Sequence, residues 1–277
     1  MRPVFEQFRR KHFPKRYPAY DGRKNAYSAN DLPFGDTMED SIEIFDNERQ
    51  QQRTYKVKLT KVAVLDLSWL KSVKPGSPVF QNGVQALDVI LRHSPASSMV
   101  TVGRSLFQPP TGRVVSLSSG LDLWVGVFQS AVIGWKPYLN IDVAHKGFPS
   151  PRNVIDLMKE LCQNPRYNDN KEVGPGDVRR NEAKITKFLK GLKVQYEIPG
   201  QSKRTQRVNG LAECPKNNKF TLSNGKVCTV QQYFAQDKRY NIRFPDFPCL
   251  WIGSREKKIY VPAELCTIVA GQVIQKK

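Results

Sequence analysis

Histidine is scarce in this chain of 277 residues: the three, His12, His93 and His145, lie far apart, none beside a nucleophile or a second metal ligand. Each reads as a solvent-facing or hydrogen-bonded side chain rather than a catalytic base. The five cysteines, Cys162, Cys214, Cys228, Cys249 and Cys266, are odd in number and form no C-x-x-C pair, which excludes a zinc ribbon and a disulfide framework. Reduced structural thiols are expected, with Cys249 and Cys266 as buried small hydrophobes and with no metal or cofactor. No apolar run is long enough to cross a bilayer, and there is neither a lipidation signal nor a basic amphipathic helix, so a membrane is not an expected partner. The opening stretch MRPVFEQFRRKHFPKRYPAYDGRK lacks the apolar segment of a signal peptide and is too rich in Pro and Tyr for a transit helix. A cytosolic or nuclear setting follows as the expectation. Gly103 and Gly126 belong to no phosphate-cradling loop, and GPG at 174–176 lacks the lysine and hydroxyl of a P-loop. Acid pairs such as Glu39 and Asp40 give no sign of converging on two metals. Internal repeats and low-complexity tracts are also absent. The chain reads as a binder and not an enzyme.

What it has in excess is positive charge. The formal net charge is +19, and its distribution is uneven: residues 1–75 hold 15 Lys or Arg and 10 acids, residues 76–148 hold 5 and 3, and residues 149–277 hold 24 and 12. A pI near 9.8 fits nucleic acid, an anionic membrane surface or an acidic protein.

Residues 199–243 choose among these. They carry nine Lys or Arg against two acids, with Phe220, Tyr233, Phe234 and Tyr240 interleaved. Cations hold phosphates and aromatic faces stack on unpaired bases or cap a ribose, so the mixture suits single-stranded nucleic acid. Such contacts do not read base edges, and recognition independent of sequence follows. The alternative from another class is a basic interaction module that binds an acidic partner; a nuclease built from scattered acids is a third.

The length implies two or three modules. Strands are expected over residues 54–67, 121–129 and 135–144, and helices over 83–92 and 150–162, the latter with Ser150 as N-cap and Pro151 in the first turn. Residues 163–181 read as a polar loop. Short strands follow at 191–197, 204–210, 226–230, 240–244, 249–252 and 258–261, a spacing that suggests a small Greek-key barrel.

Three stretches resemble one family. PAYDGRKNAYSANDLP is similar to the N-domain signature of eukaryotic Argonaute proteins. QALDVILRHSPASSMVTVGRSLF and LWVGVFQSAVIGWKPYLNIDVAHKGF are similar to their first linker. GLKVQYEIPGQSKRTQRVNGL, TVQQYFAQDKRYNIRFPDFPCLWIG and KKIYVPAELCTIVAGQ resemble the PAZ domain in order and spacing. The resemblance implies an α+β, β-rich chain: an N-domain sheet over 1–75, linker 1 over 76–148, a PAZ domain over 149–270 and the start of a second linker over 271–277. It favours the siRNA and miRNA branch, and with it the cytoplasm, loading factors and chaperones.

In that family the PAZ domain is an OB-like barrel with an αβ insertion, here about 212–236, and the two clasp the 3′ end of a small RNA. The resemblance places Tyr233 on a phosphate-contacting tyrosine and Phe220 on the aromatic that packs against the terminal nucleotide. Arg204, with Lys203 beside it, falls on a backbone-phosphate position, Lys257 and Tyr260 on contacts just before a final helix, and Val261 on the apolar floor. The chain departs from the pattern at Lys238, where many members have histidine, at Ile198, also a histidine position, and at Gln206, a tyrosine position. Lys238 keeps a cation for phosphate but loses an imidazole face. An apolar rim of Ile198 and Val261 implies tolerance of a 2′-O-methylated end. The basic run Arg9, Arg10, Lys11, Lys15 and Arg16 would lie near the guide–target duplex channel or serve as a solubilising face. The family's MID and PIWI domains, which hold the guide 5′ phosphate and the slicer residues, have no counterpart in these residues.

Overall fold

The computed structural model describes residues 1–46, 51–163, 172–222, 225–253 and 258–274. The chain divides into two compact units, one built from Met1–Asp46, Gln51–Pro110 and Trp124–Lys146, the other from Thr111–Leu123 and Gly147–Lys277.

The first unit opens with a helix that the sequence reading did not anticipate, α1 (Arg2–His12). Val4, Phe5 and Phe8 recur at helical spacing, a proline occupies its first turn, and four basic side chains complement the dipole in its last turn. After the short hairpin β1 (Ala19–Tyr20) and β2 (Ala26–Tyr27) comes a long one, β3 (Thr37–Asp46) and β4 (Gln51–Thr60). Val4, Phe8, Phe13 and Ile42 form a small core between α1 and this hairpin. The ladder ends where β3 begins, at the pair Thr37–Thr60. The strand expected over 54–67 therefore stops at Thr60: beyond it the apolar run has no strand to pair with among the described residues, and Val62 and Val64 are 90% and 80% exposed.

Arg9 is a second correction. It is not a solubilising surface cation but is buried, its fork donating to Glu6 at 2.9 and 2.7 Å and to the carbonyls of Pro14 and Arg16 at 2.9 and 3.2 Å. A guanidinium can saturate that many acceptors at once, and it closes the turn that follows α1.

Next come α2 (Gln81–His93), which contains the expected helix over 83–92, then α3 (Pro95–Ser98), β5 (Val100–Val102), β6 (Ser105–Phe107), β7 (Val115–Ser116) and the long strands β8 (Leu121–Ile133) and β9 (Pro137–Pro149). In β9 only β8 supplies a ladder partner among the described residues, and Leu139, Ile141 and Val143 stay exposed.

In the second unit α4 (Val154–Cys162) starts later than expected. Its cap is Asn153, whose Oδ1 accepts from Ile155 N at 2.9 Å, and Ser150 is instead a buried residue ahead of the helix. Where a loop was expected over 163–181, α5 (Pro175–Arg180) forms, with Asp177 Oδ2 accepting from Gly174 N at 3.1 Å; residues 164–171 of that loop lie outside the described residues. Then come α6 (Glu182–Leu189), β10 (Lys193–Tyr196), β11 (Arg204–Ala212), β12 (Lys219–Thr221), β13 (Val227–Thr229), α7 (Val230–Gln236), β14 (Cys249–Gly253), β15 (Lys258–Pro262) and β16 (Cys266–Ile268). Five strands pair antiparallel in the order β15-β14-β11-β10-β16. No pairing joins β15 to β16 among the described residues, so the expected barrel is an open sheet here. A bulge at Asn209 bends β11 and lets one strand serve both halves of that sheet. One face packs on α4, α5 and α6 through Leu157, Ile185, Val208, Leu250 and their neighbours.

The hairpin β12–β13 and helix α7 form the expected insertion. Thr229 caps α7 reciprocally: its Oγ1 accepts from Gln232 N at 3.1 Å, and Gln232 Oε1 accepts from Thr229 N at 3.0 Å.

Candidate nucleic-acid interface

The insertion packs across the other face of the sheet. Val230 and Phe234 of α7 meet Ile198, Cys249 and Leu265 in a second small core, and around its margin stand partly buried aromatics from both sides. Phe220 on β12 and Tyr233 on α7 lie edge to face, with centroids 5.4 Å apart and planes at 81°. Tyr233 is in turn edge to face with Phe234 at 5.7 Å. The α7 period explains the division of labour. Val230 and Phe234, four apart, face inward, and Tyr233 sits at the rim.

Lys238 follows the end of α7 and brings its Nζ to 5.6 Å from the Tyr233 ring centroid. A cation over an aromatic face in a partly dry cleft presents both charge and surface to a nucleotide. Tyr260 on β15 joins the same cluster, so Phe220, Tyr233, Lys238 and Tyr260 are brought together. Arg204 begins β11 directly opposite Tyr196 of β10, and Tyr196 packs against this cluster. Arg204 is thereby an exposed cation at the cleft's edge. Lys203 is exposed too, but its Nζ is paired with Glu197 at 3.0 Å. Such a surface pair is weak and yields readily to a phosphate.

Two expectations fail because the side chains are buried. Val261 is one residue from Tyr260 and so faces the main core, at 3% exposure, not the cleft. Ile198 is 4% exposed beneath the insertion. Neither offers the apolar rim expected to accept a 2′-O-methyl group. Lys257 lies outside the described residues.

Sequence reasoning missed Tyr196, Ile242 and Glu264 as parts of the site, while Tyr240, singled out among the interleaved aromatics, does reach the cleft margin. Burial pushes the Tyr196 hydroxyl well above the ordinary tyrosine range, so it stays a neutral donor. Tyr240 belongs to residues 237–248, where a strand was expected over 240–244 and none forms. That segment is fastened from a distance: the buried Glu264 accepts from Tyr240 Oη at 2.6 Å, Arg243 N at 3.1 Å and Phe244 N at 2.7 Å. The backbone donors a strand would have given to a neighbouring strand go to this carboxylate instead. Burial, and then the bond to Glu264, raise the Tyr240 pKa.

Among the described residues no three His, Cys, Asp or Glu side chains are placed to hold a metal, and no helix is long and apolar enough to cross a membrane.

A sheet carrying an αβ insertion, with an aromatic and cationic cleft between them, is the architecture of a PAZ domain, and the PAZ family model matches residues 155–277. The model for the N-terminal domain of argonaute matches residues 1–91, and that for the Argonaute linker 1 domain matches residues 101–150. The chain belongs to the Argonaute family. Among solved structures it is similar to the PAZ domain of Drosophila Argonaute 2 in a study of 3′-end recognition of nucleic acids, at 28% identity over 44% of this chain and 98% of that one, with a TM-score of 0.36. A second structure of the Drosophila Argonaute2 PAZ domain shares 31% identity over 40% of this chain and 97% of that one, with a TM-score of 0.33. Kluyveromyces polysporus Argonaute with a guide RNA matches all of this chain at 17% identity and a TM-score of 0.55. The chain spans 34% of that protein's length.

Proposed function

We propose that this chain captures the 3′ end of a small guide RNA, as a two-nucleotide overhang and without sequence preference. The observation that carries the reading is the edge-to-face pair of Phe220 and Tyr233, with Lys238 over the Tyr233 ring and Tyr260 on the sheet beside them. The rings supply stacking surface and the cations Lys238, Arg204 and Lys203 supply phosphate contacts, while nothing in the group presents a donor–acceptor pattern to a base edge. That the Drosophila Argonaute 2 PAZ domain recognises 3′ ends supports the same assignment.

The N domain and linker 1 would shape the guide–target duplex channel and assist strand separation during loading. The siRNA and miRNA branch, the cytoplasm, and the loading factors and chaperones of the intact protein complete the proposal. The reading assigns binding, and no cleavage, to these residues.

The test is fluorescence anisotropy with a labelled RNA duplex bearing two-nucleotide 3′ overhangs, beside a blunt duplex and a Phe220→Ala, Tyr233→Ala double variant. The wild type is expected to prefer the overhang and the variant to lose the preference. Equal binding of blunt and overhanging duplex would leave only a nonspecific basic surface.

A further inference from the structure

We propose that Trp251 is a second stacking platform, which receives the nucleotide immediately 5′ of those held in the aromatic cleft. The inference rests on the 3′-end reading above and extends it along the strand.

Strand parity carries the first step. Cys249 belongs to the small core under the insertion, and Trp251, two residues along β14, points to the same face of the sheet. Across the ladder Cys249 is opposite Ala212 and Pro262, while Trp251 is opposite Gly210 and Tyr260. The insertion thus covers the Ala212–Cys249 end of this face, and the row Gly210–Trp251–Tyr260 lies just beyond its cover. Tyr260 belongs to both, so the platform is continuous with the cleft.

The ring itself has the right surroundings. Gly210 leaves room beneath it: a Cβ there would sit 3.7 Å from Trp251 Cε3, so the indole lies over bare β11 backbone. Lys258, an exposed residue, places its Nζ 5.6 Å from the ring centroid. Trp251 is partly exposed, and its indole N–H has no hydrogen-bond partner among the described residues, so packing positions the ring. A half-covered indole with an exposed lysine over it, next to an aromatic cleft in a strongly basic chain, complements a base and its phosphate. An acidic protein would need the cation but not the ring.

The experiment compares 5′-labelled oligouridines of two and four nucleotides, each with a free 3′ hydroxyl, by anisotropy. Wild type is expected to gain about tenfold in affinity from the longer oligomer, the scale of one stacked base. Trp251→Ala should keep the two-nucleotide affinity and lose that gain, and Trp251→Phe should keep most of it. Unlabelled tetranucleotide should quench the wild-type indole fluorescence and leave Trp251→Phe nearly unchanged. If Trp251→Ala does not fold, the quenching comparison decides together with Lys258→Gln, which should lower the salt slope of tetranucleotide binding by about one and leave the dinucleotide alone. A full length gain in Trp251→Ala, or equal quenching in Trp251→Phe, overturns this inference and leaves the 3′-end pocket standing. Binding by wild type that ignores the 3′ end would sink both.

Discussion

Tyr240 and Glu264 are joined by a 2.6 Å hydrogen bond across 24 positions of sequence, and the same carboxylate caps the amides of Arg243 and Phe244. One buried side chain therefore sets the course of the segment that carries Tyr240 and Ile242 to the margin of the cleft.

Removing that carboxylate should cost more than a bond. Glu264→Ala would leave two amides and a phenol without their acceptor in a dry setting, and we expect about 3 kcal/mol of lost stability with weaker overhang binding. Glu264→Gln, which keeps one acceptor oxygen, should fall between. Urea denaturation read beside anisotropy checks both.

Arg239 has a φ of +51°, left-handed backbone that costs a non-glycine residue about 1 kcal/mol. Arg239→Gly should therefore raise the melting temperature by a few degrees. It should also weaken RNA binding, since the exposed cation that follows Lys238 is lost. Opposite signs in a thermal melt and a titration are the expected result.

Acid should loosen the first unit at α1. The Arg9 guanidinium beside Glu6 holds that carboxyl at about 2, below its ordinary 4.5. A depressed folded-state pKa contributes stability that is present above the unfolded value and is lost as pH falls from about 4.5 toward about 2. Melts across that window should show a steeper loss for wild type than for Glu6→Gln, with the effect damped because Glu6 is half exposed.

Gly126 permits β6 and β8 to approach: a Cβ there would lie 2.3 Å from the Leu106 carbonyl oxygen and 2.6 Å from Phe107 Cδ1. Backbone cannot step aside as a flexible side chain does. Gly126→Ala should destabilise by about 2 kcal/mol or more, measured by chemical denaturation, with overhang preference intact in the folded fraction.

The sequence made part of this visible. β10, β11, β14 and β15 announce themselves by alternation and β-branched residues, and the rim aromatics stand out because they sit among lysines. What stayed hidden depends on partners far along the chain. Residues 240–244 look like a strand until Glu264 is found to take their amides. Tyr260 and Val261 are equivalent in sequence, and only the register of β15 against β14 sends one to the cleft and the other to the core. The helix α5 was masked by its opening Pro and Gly, and α6 was passed over although Ile185 and Leu189 keep a helical spacing. Tyr196 and Trp251 became legible only when the sheet order set them beside the insertion.

The long strand β9 has a practical consequence. Thirteen residues with one edge unpaired among the described residues, and with Leu139, Ile141 and Val143 open to water, make a seam on which another chain can zip. Handled alone at high concentration, this polypeptide should self-associate through that seam, and Ile141→Lys should keep it monomeric with overhang binding unchanged.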